Sequence, residues 1–406
     1  MPSSTRKITK FASQIFERRT ENLKEQNISK KTQVKEKPFD FLLFITILIL
    51  LAMGIIMVLS ASSPKALSEG GDSYSYVKRQ ATFAIIGIGL MLIISKIDYK
   101  IYSKFANVAY IGSIIILIST KFLGSSSKGA ERWLDLGFVR FQPSEIAKIA
   151  LIIFYAAWLT KNKDKLKELK KGFVVPFVFI LPIAAILLLL QNHLSVTIII
   201  VAVMSIMMLM AGTKLKYFLI TGVIVAVIGG SALFTYIKVK GPEDANFRLA
   251  RITTFLDPWS DAKGDGWQII QSLYAIGSGG LFGVGLGESK QKFLYIPEPH
   301  NDFIFAVLAE ELGFLGCIVV IVLFAVFIWR GLLIGVRAKD MFGSLLAVGI
   351  TSLVGLQAIM NIAVVTASMP NTGIPLPFFS YGGTALVILL CSMGILLNIS
   401  RSAEKV

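Results

Sequence analysis

The sequence has little charge and almost no cysteine. Only 16% of its 406 residues are Asp, Glu, Lys or Arg, whereas a soluble globular domain carries about 25%. Whole stretches such as 41–60 and 314–329 hold no charge at all. The two cysteines, Cys317 and Cys391, lie inside apolar runs, with no metal-ligand spacing and nothing to support a disulfide. These absences exclude a soluble enzyme, a disordered chain and a secreted disulfide scaffold.

Apolar residues make up 54% of the chain, and the mean hydropathy is +0.70. Because about 20 apolar residues cross the hydrocarbon core of a bilayer, the sequence predicts an all-α polytopic integral membrane protein. Ten spans are expected, at residues 39–62, 79–95, 104–121, 144–160, 173–190, 194–211, 215–235, 302–329, 341–366 and 376–399.

The spans divide the chain into three parts. A basic N-terminal tail, 1–38, is expected to be disordered, with a lipid-binding or partner-binding arm as the alternative. The membrane domain covers 39–400 and includes one long loop, 236–301, between the seventh and eighth spans. Residues 401–406 form a short C-terminus.

The formal net charge of +16 reflects membrane orientation rather than nucleic-acid binding. Most of the 41 Lys and Arg residues lie in the tail and in one alternate set of loops, including the lysine-rich segment 161–171. Since loops rich in Lys and Arg stay in the cytoplasm, both termini are predicted to be cytoplasmic. The long loop 236–301 and the polar motifs near it are then predicted to be extracytoplasmic.

The fourth span opens with a charged pair. Pro143 marks a helix start, and Glu145 and Lys148, three residues apart, share one helix face. An ion pair this close to hydrocarbon is costly and rarely lacks a purpose, which here is either a function or the fixing of the helix against its neighbours. Arg132 and Arg140, just before the span, are expected at headgroup level, where they suit phosphate or sugar contacts.

The long loop contributes further polar residues, of which Arg248 and Arg251 come first. Three aspartates at a spacing of four, Asp257, Asp261 and Asp265, could suggest a metal site, but their Asp-Pro and Gly-Asp-Gly settings favour turns. An amphipathic stretch, 267–276, follows. The glycine-rich segment 277–285 fits neither a dinucleotide fingerprint nor a P-loop, so we interpret it as tightly turned backbone that could approach a ligand.

Asp302 caps or begins the eighth span. From 302 to 329 a straight helix is about 42 Å long, which exceeds the core of about 30 Å and could lift Asp302 to headgroup level. A plain N-cap is the alternative role. Because Glu298, His300, Lys290 and Lys292 lie nearby in sequence, an acid–base role for Asp302 is credible.

The junction before the last span, 371–384, holds two prolines and three glycines. Irregular backbone at a membrane boundary is tolerated only where protein or a water-filled cavity covers it. Ser380 and Tyr381 lie in this junction. We therefore expect the polar motifs to converge on one outward-facing cavity.

Three long motifs resemble the SEDS (shape, elongation, division and sporulation) family. They are RWLDLGFVRFQPSEIAK at 132–148, the stretch from FLDPWSD at 255–261 to IPEPHNDFIFA at 296–306, and GIPLPFFSYGGT at 373–384. The resemblance runs from about 39 to 399. The sequences of the long loop and of the last motif are more similar to the division and sporulation branches than to the elongation branch.

The resemblance implies an inverting peptidoglycan glycosyltransferase in the bacterial cytoplasmic membrane. Such proteins polymerise lipid II, the undecaprenyl-pyrophosphate-linked disaccharide-pentapeptide, on the outer face. They work beside a class B penicillin-binding protein, and other division proteins could join them. The family's catalytic aspartate falls on Asp302, and its intramembrane pair falls on Glu145 and Lys148. Asn301 replaces the usual Thr, and the acidic residue common after the fifth span is absent here.

The chemistry of such a transfer needs a base for the acceptor hydroxyl and cations for the pyrophosphate. Asp302 is the expected base. The expected substrate-binding residues are Glu145, Lys148, Arg132, Arg140, Arg248, Arg251, Lys290, Lys292, Glu298, His300, Ser380 and Tyr381. No metal-binding residues are predicted, and a magnesium or other divalent cation on the pyrophosphate is left open. A lipid II flippase, a non-catalytic scaffold and an elongation polymerase are the alternatives.

Overall fold

The computed structural model describes residues 38–127, 130–135, 137, 140–224, 227, 231, 254–264, 266–293 and 295–403. Apart from Pro38, the predicted tail 1–38 lies outside these ranges. So do Arg248 and Arg251. The expected disorder of the tail stays a prediction.

Twelve helices are numbered here in chain order. They are α1 Phe41–Ser68, α2 Ser75–Ile94, α3 Lys100–Lys104, α4 Ala106–Leu123, α5 Pro143–Lys161, α6 Val175–Ala185, α7 Leu194–Met210, α8 Leu215–Ile224, α9 Trp267–Gly279, α10 Ile304–Val336, α11 Met341–Val365 and α12 Gly383–Ser402. Wider π-helical turns, Lys170–Val174 and Ile186–Leu190, extend α6 at both ends.

The polytopic helical architecture is confirmed. Among the described residues, eight helices are long and apolar enough to cross a membrane, and α7 and α8 are shorter apolar helices at the positions of two more expected spans. Most of the expected span 215–235 beyond Ile224 falls outside the described residues, so the total of ten stays a prediction. The last span was placed too early, because its helix begins at Gly383 rather than at 376.

The bundle is centred on α5 and α11, the most buried of the eight long apolar helices described. Helix α11 packs against α10, α5 and α7, while α12 packs mainly against α2, and α1 packs against α10 and α2. Helices α2 and α4 present large apolar side chains to the surroundings, including Ile85, Ile93 and Ile115. This arrangement is what a bilayer requires, because lipid-facing positions stay apolar.

A small antiparallel sheet precedes α5. Strands β1 Gly124–Ser127, β2 Ala130–Asp135 and β3 Arg140–Phe141 pair in that order, with Leu134 opposite Phe141 and Asp135 opposite Arg140. Pro143 then opens α5 at its first position. The sheet therefore fixes Arg132 and Arg140 beside the start of the helix that carries Glu145 and Lys148.

Side-chain contacts link α1 and α10 near both ends, an ion pair at one end and a hydrogen bond at the other. At one end, Arg330 Nε donates to Asp40 Oδ2 at 3.1 Å. Near the other, Ser60 of α1 donates to Glu311 of α10 at 2.5 Å, and Glu311 pairs with Lys292 at 2.9 Å. From Asp40 to Ser60 an α-helix rises about 30 Å, which matches the thickness of a hydrocarbon core.

Candidate active site

The turn between α11 and α12, residues 366–382, organises the site. It contains no helix and has positive φ at Ala367, Gly373 and Phe378, which confirms the predicted irregular backbone. The turn lies directly against α1, because a Cβ on Gly54 would overlap the backbone of Phe378. Ser195 of α7 donates to Thr372 O at 2.5 Å. The turn is therefore held by two helices that are distant in sequence.

Asp302 lies beside this turn. A Cβ built on Gly373, whose φ is +64°, would lie 3.3 Å from Asp302 Oδ2. Asn361 of α11 donates from Nδ2 to the backbone oxygens of Asp302 and Ile374, at 2.7 Å each. The side-chain amide of Asn361 therefore holds both Asp302 and the turn.

Asp302 is not the N-cap of α10, so that alternative is wrong. The helix begins at Ile304, and its N-cap is Phe303, whose side chain makes no cap hydrogen bond. Asp302 therefore lies two positions before the helix. The helix also runs further than expected, to Val336, and contains a non-helical residue at Gly313.

Ser380 and Tyr381 bind the segment that leads to Asp302. Ser380 Oγ accepts from Leu376 N at 2.7 Å and donates to Asn301 O at 2.9 Å. Tyr381 N donates to His300 O at 2.9 Å. Both residues thus contact the segment at His300 and Asn301, and their role in substrate binding stays a prediction.

His300 is almost fully buried, with 2% of its surface exposed. Its ring lies 5.0 Å from the ring of Tyr76 and 5.8 Å from that of Tyr381. Nδ1 is buried and has no hydrogen-bond partner among the described residues. Burial lowers the pKa of His300 to about 4, and the positive charge of Lys65 acts in the same direction. The imidazole is therefore neutral at neutral pH.

Glu298 connects the same segment to the end of α1. Its carboxylate accepts from Asn301 Nδ2 at 3.0 Å and lies 3.9 Å from Lys65 Nζ. Asn301, which replaces the Thr of related motifs, thus uses its amide to bond Glu298. Lys65 was not among the predicted residues, although it lies on the expected outer side.

Glu145 and Lys148 form an ion pair with Nζ 2.8 Å from Oε1, and only 2% of the Lys148 side chain is exposed. Next to them, Gln142 Nε2 lies 3.0 Å from His193 Nε2, at the start of α7. Since α7 also binds the turn at Thr372 through Ser195, the pair and Asp302 are attached to the same helix–turn framework.

The remaining predicted cations occupy different settings. Arg132 donates to Gln191 O and Asn192 O, each at 2.9 Å. Arg140 lies over the ring of Trp133 at 5.1 Å, and its carbonyl accepts from Thr384 at 3.1 Å. Lys290 is exposed, whereas only 4% of the Lys292 side chain is exposed and its Nζ pairs with Glu311.

Two acidic residues of α10, Glu310 and Glu311, were missed. Both are buried, at 2% and 1% exposure. They are the only charged residues between Asp302 and Arg330, and an ionisable residue within a span is itself a signal of function. Asn361 was also missed, because a single Asn in an apolar run gives no indication of its partner.

The aspartates and the amphipathic stretch of the long loop have structural roles. Asp257 Oδ1 accepts from Trp259 N, and Asp261 Oδ1 accepts from Gly264 N, at 3.1 Å each, so the turn interpretation is confirmed at both. The amphipathic stretch is helix α9. The described part of the chain contains no group of three or more His, Cys, Asp or Glu residues that could hold a metal ion.

Comparison with known proteins identifies the family. The sequence profile of the FtsW, RodA and SpoVE family, described as cell cycle protein, matches residues 40–405. The chain belongs to this family. It is 42% identical to a probable peptidoglycan glycosyltransferase FtsW of Geobacter sp. (strain M18), over 89% of this chain and 96% of that one. It is 41% identical to stage V sporulation protein E of Bacillus subtilis (strain 168), over 91% and 99%.

Solved structures share the fold of this FtsW, RodA and SpoVE family member. A chain from "Structural coordination of polymerization and crosslinking by a peptidoglycan synthase complex" matches with a TM-score of 0.73 and 25% identity. The match covers 89% of this chain and 98% of that one. The rod shape determining protein RodA of Thermus thermophilus matches with a TM-score of 0.63 over 92% and 99%. At 23% identity, the second match shows the fold alone.

Proposed function

We propose that this chain is a peptidoglycan glycosyltransferase that polymerises lipid II into glycan strands, with Asp302 as its general base. The observation that carries the proposal is the placement of Asp302. Its backbone is fixed by Asn361 and its carboxylate lies against Gly373. Membership in the family and the names of its close relatives support the same activity.

The transfer needs one proton acceptor. Asp302 takes the proton of the acceptor sugar hydroxyl while that oxygen attacks the anomeric carbon of the donor. The bond from this carbon to the lipid pyrophosphate breaks, and the pyrophosphate leaves with the bonding electrons. A carboxylate that is held in place before the reaction acts with little loss of orientational freedom.

Cations stabilise the leaving pyrophosphate. Lys148, Arg132, Arg140 and Lys290 are the described candidates, and Arg248 and Arg251 remain predictions outside the described residues. We assign Lys292 no contact with the pyrophosphate, because its buried amino group already uses its three N–H donors on Ser60, Gly287 and Glu311. Glu145, Glu298, His300, Ser380 and Tyr381 bind sugar or orient the segment around Asp302. A divalent cation on the pyrophosphate stays a prediction.

The site is extracytoplasmic in this proposal, and both termini are cytoplasmic. The partner is a class B penicillin-binding protein that contacts the eighth and ninth expected spans, α10 and α11, and the long loop. The matched chain from a synthase complex that coordinates polymerization and crosslinking supports a partner of this kind. The similarity to FtsW and to the stage V sporulation protein favours a role in division or sporulation over elongation.

The deciding experiment is made in detergent, where no transbilayer movement can be scored. The full chain and its penicillin-binding partner, with the partner's transpeptidase blocked, are supplied with lipid II, and glycan strands are separated on a gel. Asp302→Asn removes the proton acceptor with little change in size. Because a general base contributes about 10²- to 10⁴-fold, glycan synthesis should nearly vanish while lipid II binding survives.

Asp98→Asn is the matched control, because Asp98 is an exposed aspartate in the turn after α2, whereas Tyr76, which contacts His300, lies at the start of that helix. It should keep the wild-type output. Equal glycan output from Asp302→Asn and the wild type would remove Asp302 from the mechanism. No glycan from the wild type with its partner would instead favour lipid II transport.

A further inference from the structure

The segment 289–292 wraps around two adjacent buried carboxylates. Glu310 accepts from Lys290 N at 2.9 Å and from Gln291 N at 3.3 Å, and Ser289 Oγ also bonds it. Glu311 accepts from Ser289 N at 3.4 Å. Two neighbouring acids removed from water need such compensation, because an unpaired buried charge is strongly destabilising.

Glu311, the second carboxylate, also forms an ion pair with Lys292. Lys292 Nζ donates to Glu311 Oε1 at 2.9 Å, to Ser60 Oγ at 3.0 Å and to Gly287 O at 2.5 Å. An ammonium group has three N–H donors, and these three acceptors use all of them. Lys292 therefore has no donor left for a substrate phosphate.

Helix α10 is broken just after Glu310 and Glu311, and residues 280–285 of the long loop fill the break. Gly313 has a φ of +66°. Val284 N and Gly285 N donate to the carbonyls of Glu310 and Glu311 at 3.0 and 3.1 Å. Beyond the break, Phe314 N donates to Gly280 O at 2.9 Å. The loop thus satisfies backbone groups that would otherwise be unpaired at a membrane boundary.

We propose that Lys292 and Glu311 are positioning residues for Asp302, an inference that rests on the proposed function. Their ion pair closes residues 292–311 into a loop, and His300 and Asp302 lie inside it. Ser60 ties this closure to α1, the helix that also supports the turn beside Asp302 at Gly54. The pair acts through the backbone and does not touch the reacting atoms.

Both the loop and the turn hold the segment that carries Asp302. On one side the turn lies against Asp302 at Gly373 and bonds the carbonyl of His300 through Tyr381 N. The Lys292–Glu311 closure fixes the ends of its own segment. Besides this closure, residues 295–301 are attached through the turn, through Lys65 and through α9, where Trp267 Nε1 donates to Tyr295 O at 2.7 Å and Gln268 Nε2 donates to Pro297 O at 3.4 Å. A shift of about 1 Å in a catalytic group can cost about 100-fold in rate.

The test replaces the pair by apolar residues of similar length in the full chain. Lys292→Met/Glu311→Met leaves no charge unpaired, so the fold should survive. The rate at saturating lipid II should fall about 10- to 100-fold, with the KM for lipid II unchanged. Asp40→Asn/Arg330→Met breaks the ion pair that links α1 and α10 at their other end, and it should keep the wild-type rate.

A second measurement does not depend on activity. Hydrogen–deuterium exchange should become faster in residues 293–303 of the double Met variant, and it should stay unchanged there in Asp40→Asn/Arg330→Met. Ser60→Ala keeps the ion pair and removes only its link to α1. It should show the same change in exchange to a smaller extent, and it decides the question if the double variant does not fold.

Wild-type rate and wild-type exchange in both variants of this cluster would overturn the proposal. A raised KM with an unchanged maximal rate would also overturn it, since it would mean that Lys292 contacts lipid II. If the wild type itself makes no glycan, the proposed function fails, and the exchange measurement still judges whether the pair orders residues 293–303.

Discussion

Asn361 of α11 holds Asp302, which lies just before α10. Its Nδ2 donates to the backbone oxygen of Asp302 at 2.7 Å, and the same group donates to Ile374 O at 2.7 Å. Only the nitrogen of an amide can meet two carbonyl oxygens, so the orientation of Asn361 is determined by these partners. The candidate base and the turn beside it are therefore one hydrogen-bonded unit.

Asn361→Ala should leave both carbonyl oxygens without this donor. Each buried group that loses its partner costs about 1–3 kcal/mol, so the melting temperature should fall. Glycan synthesis per folded molecule should fall as well, because Asp302 is no longer fixed to the turn. The two quantities are measured by thermal unfolding and by the detergent assay.

Asn398→Ala is the matched control for this prediction. Asn398 is a buried asparagine of α12 that donates to Ser95 O and accepts from Tyr99 N, at 2.9 Å each. Its loss should lower stability in the same way and leave the activity per folded molecule intact. Equal activity losses in the two variants would mean that Asn361 acts only on overall stability.

Breaking the Glu145–Lys148 pair should be costly. Glu145→Ala leaves Lys148, of which 2% is exposed, without its counter-ion. Removing one partner of a buried pair costs about 3–5 kcal/mol, so we expect lower expression, a lower melting temperature and lost activity. The charge-swapped Glu145→Lys/Lys148→Glu variant should recover part of the stability. Wild-type activity in Glu145→Ala would show that the pair has no role in the reaction.

His300 should make stability depend on pH. The pKa of His300 in the folded protein is about 4, below the ordinary 6.5, because burial and Lys65 disfavour the imidazolium, while Glu298 and Glu69 oppose this effect weakly. Between these values the unfolded chain binds more protons. The contribution of His300 to the free energy of unfolding is fully present above about pH 6.5 and is lost as the pH falls through 4.

The size of this effect follows from the pKa difference. At 1.36 kcal/mol per pKa unit, His300 accounts for up to about 3 kcal/mol. His300→Gln should therefore flatten the fall in melting temperature between pH 6.5 and pH 4. The comparison is the slope of melting temperature against pH in the two proteins, and parallel slopes would contradict the buried neutral imidazole.

The orientation can be tested without any enzyme assay. A periplasm-active reporter such as alkaline phosphatase should be active when fused near Gly264 and inactive when fused near Lys165. The reason is the concentration of lysines in 161–171, which keeps that loop in the cytoplasm. An active fusion at Lys165 would invert the topology and place Asp302 on the cytoplasmic side.

Much of the fold could be predicted because a bilayer imposes one strong condition. Runs of about 20 apolar residues must become helices there, and eight of the ten expected spans appear as helices of spanning length in the described residues. The errors lie at helix ends. The N-cap of α10 is Phe303 rather than Asp302, and α12 begins at Gly383, because glycine and proline positions allow several irregular paths that composition does not distinguish.

The amino-acid sequence alone determined the class of protein, the approximate spans and the motifs that contain Asp302, Glu145 and Lys148. Only the tertiary structure decided which charges meet across distant segments of the chain. Lys292 contacts Ser60 across 232 positions of the chain, and Lys65 rather than Lys292 lies beside Glu298. A hydropathy pattern fixes which segments enter the bilayer, but the packing of helices against one another decides which cation reaches which carboxylate.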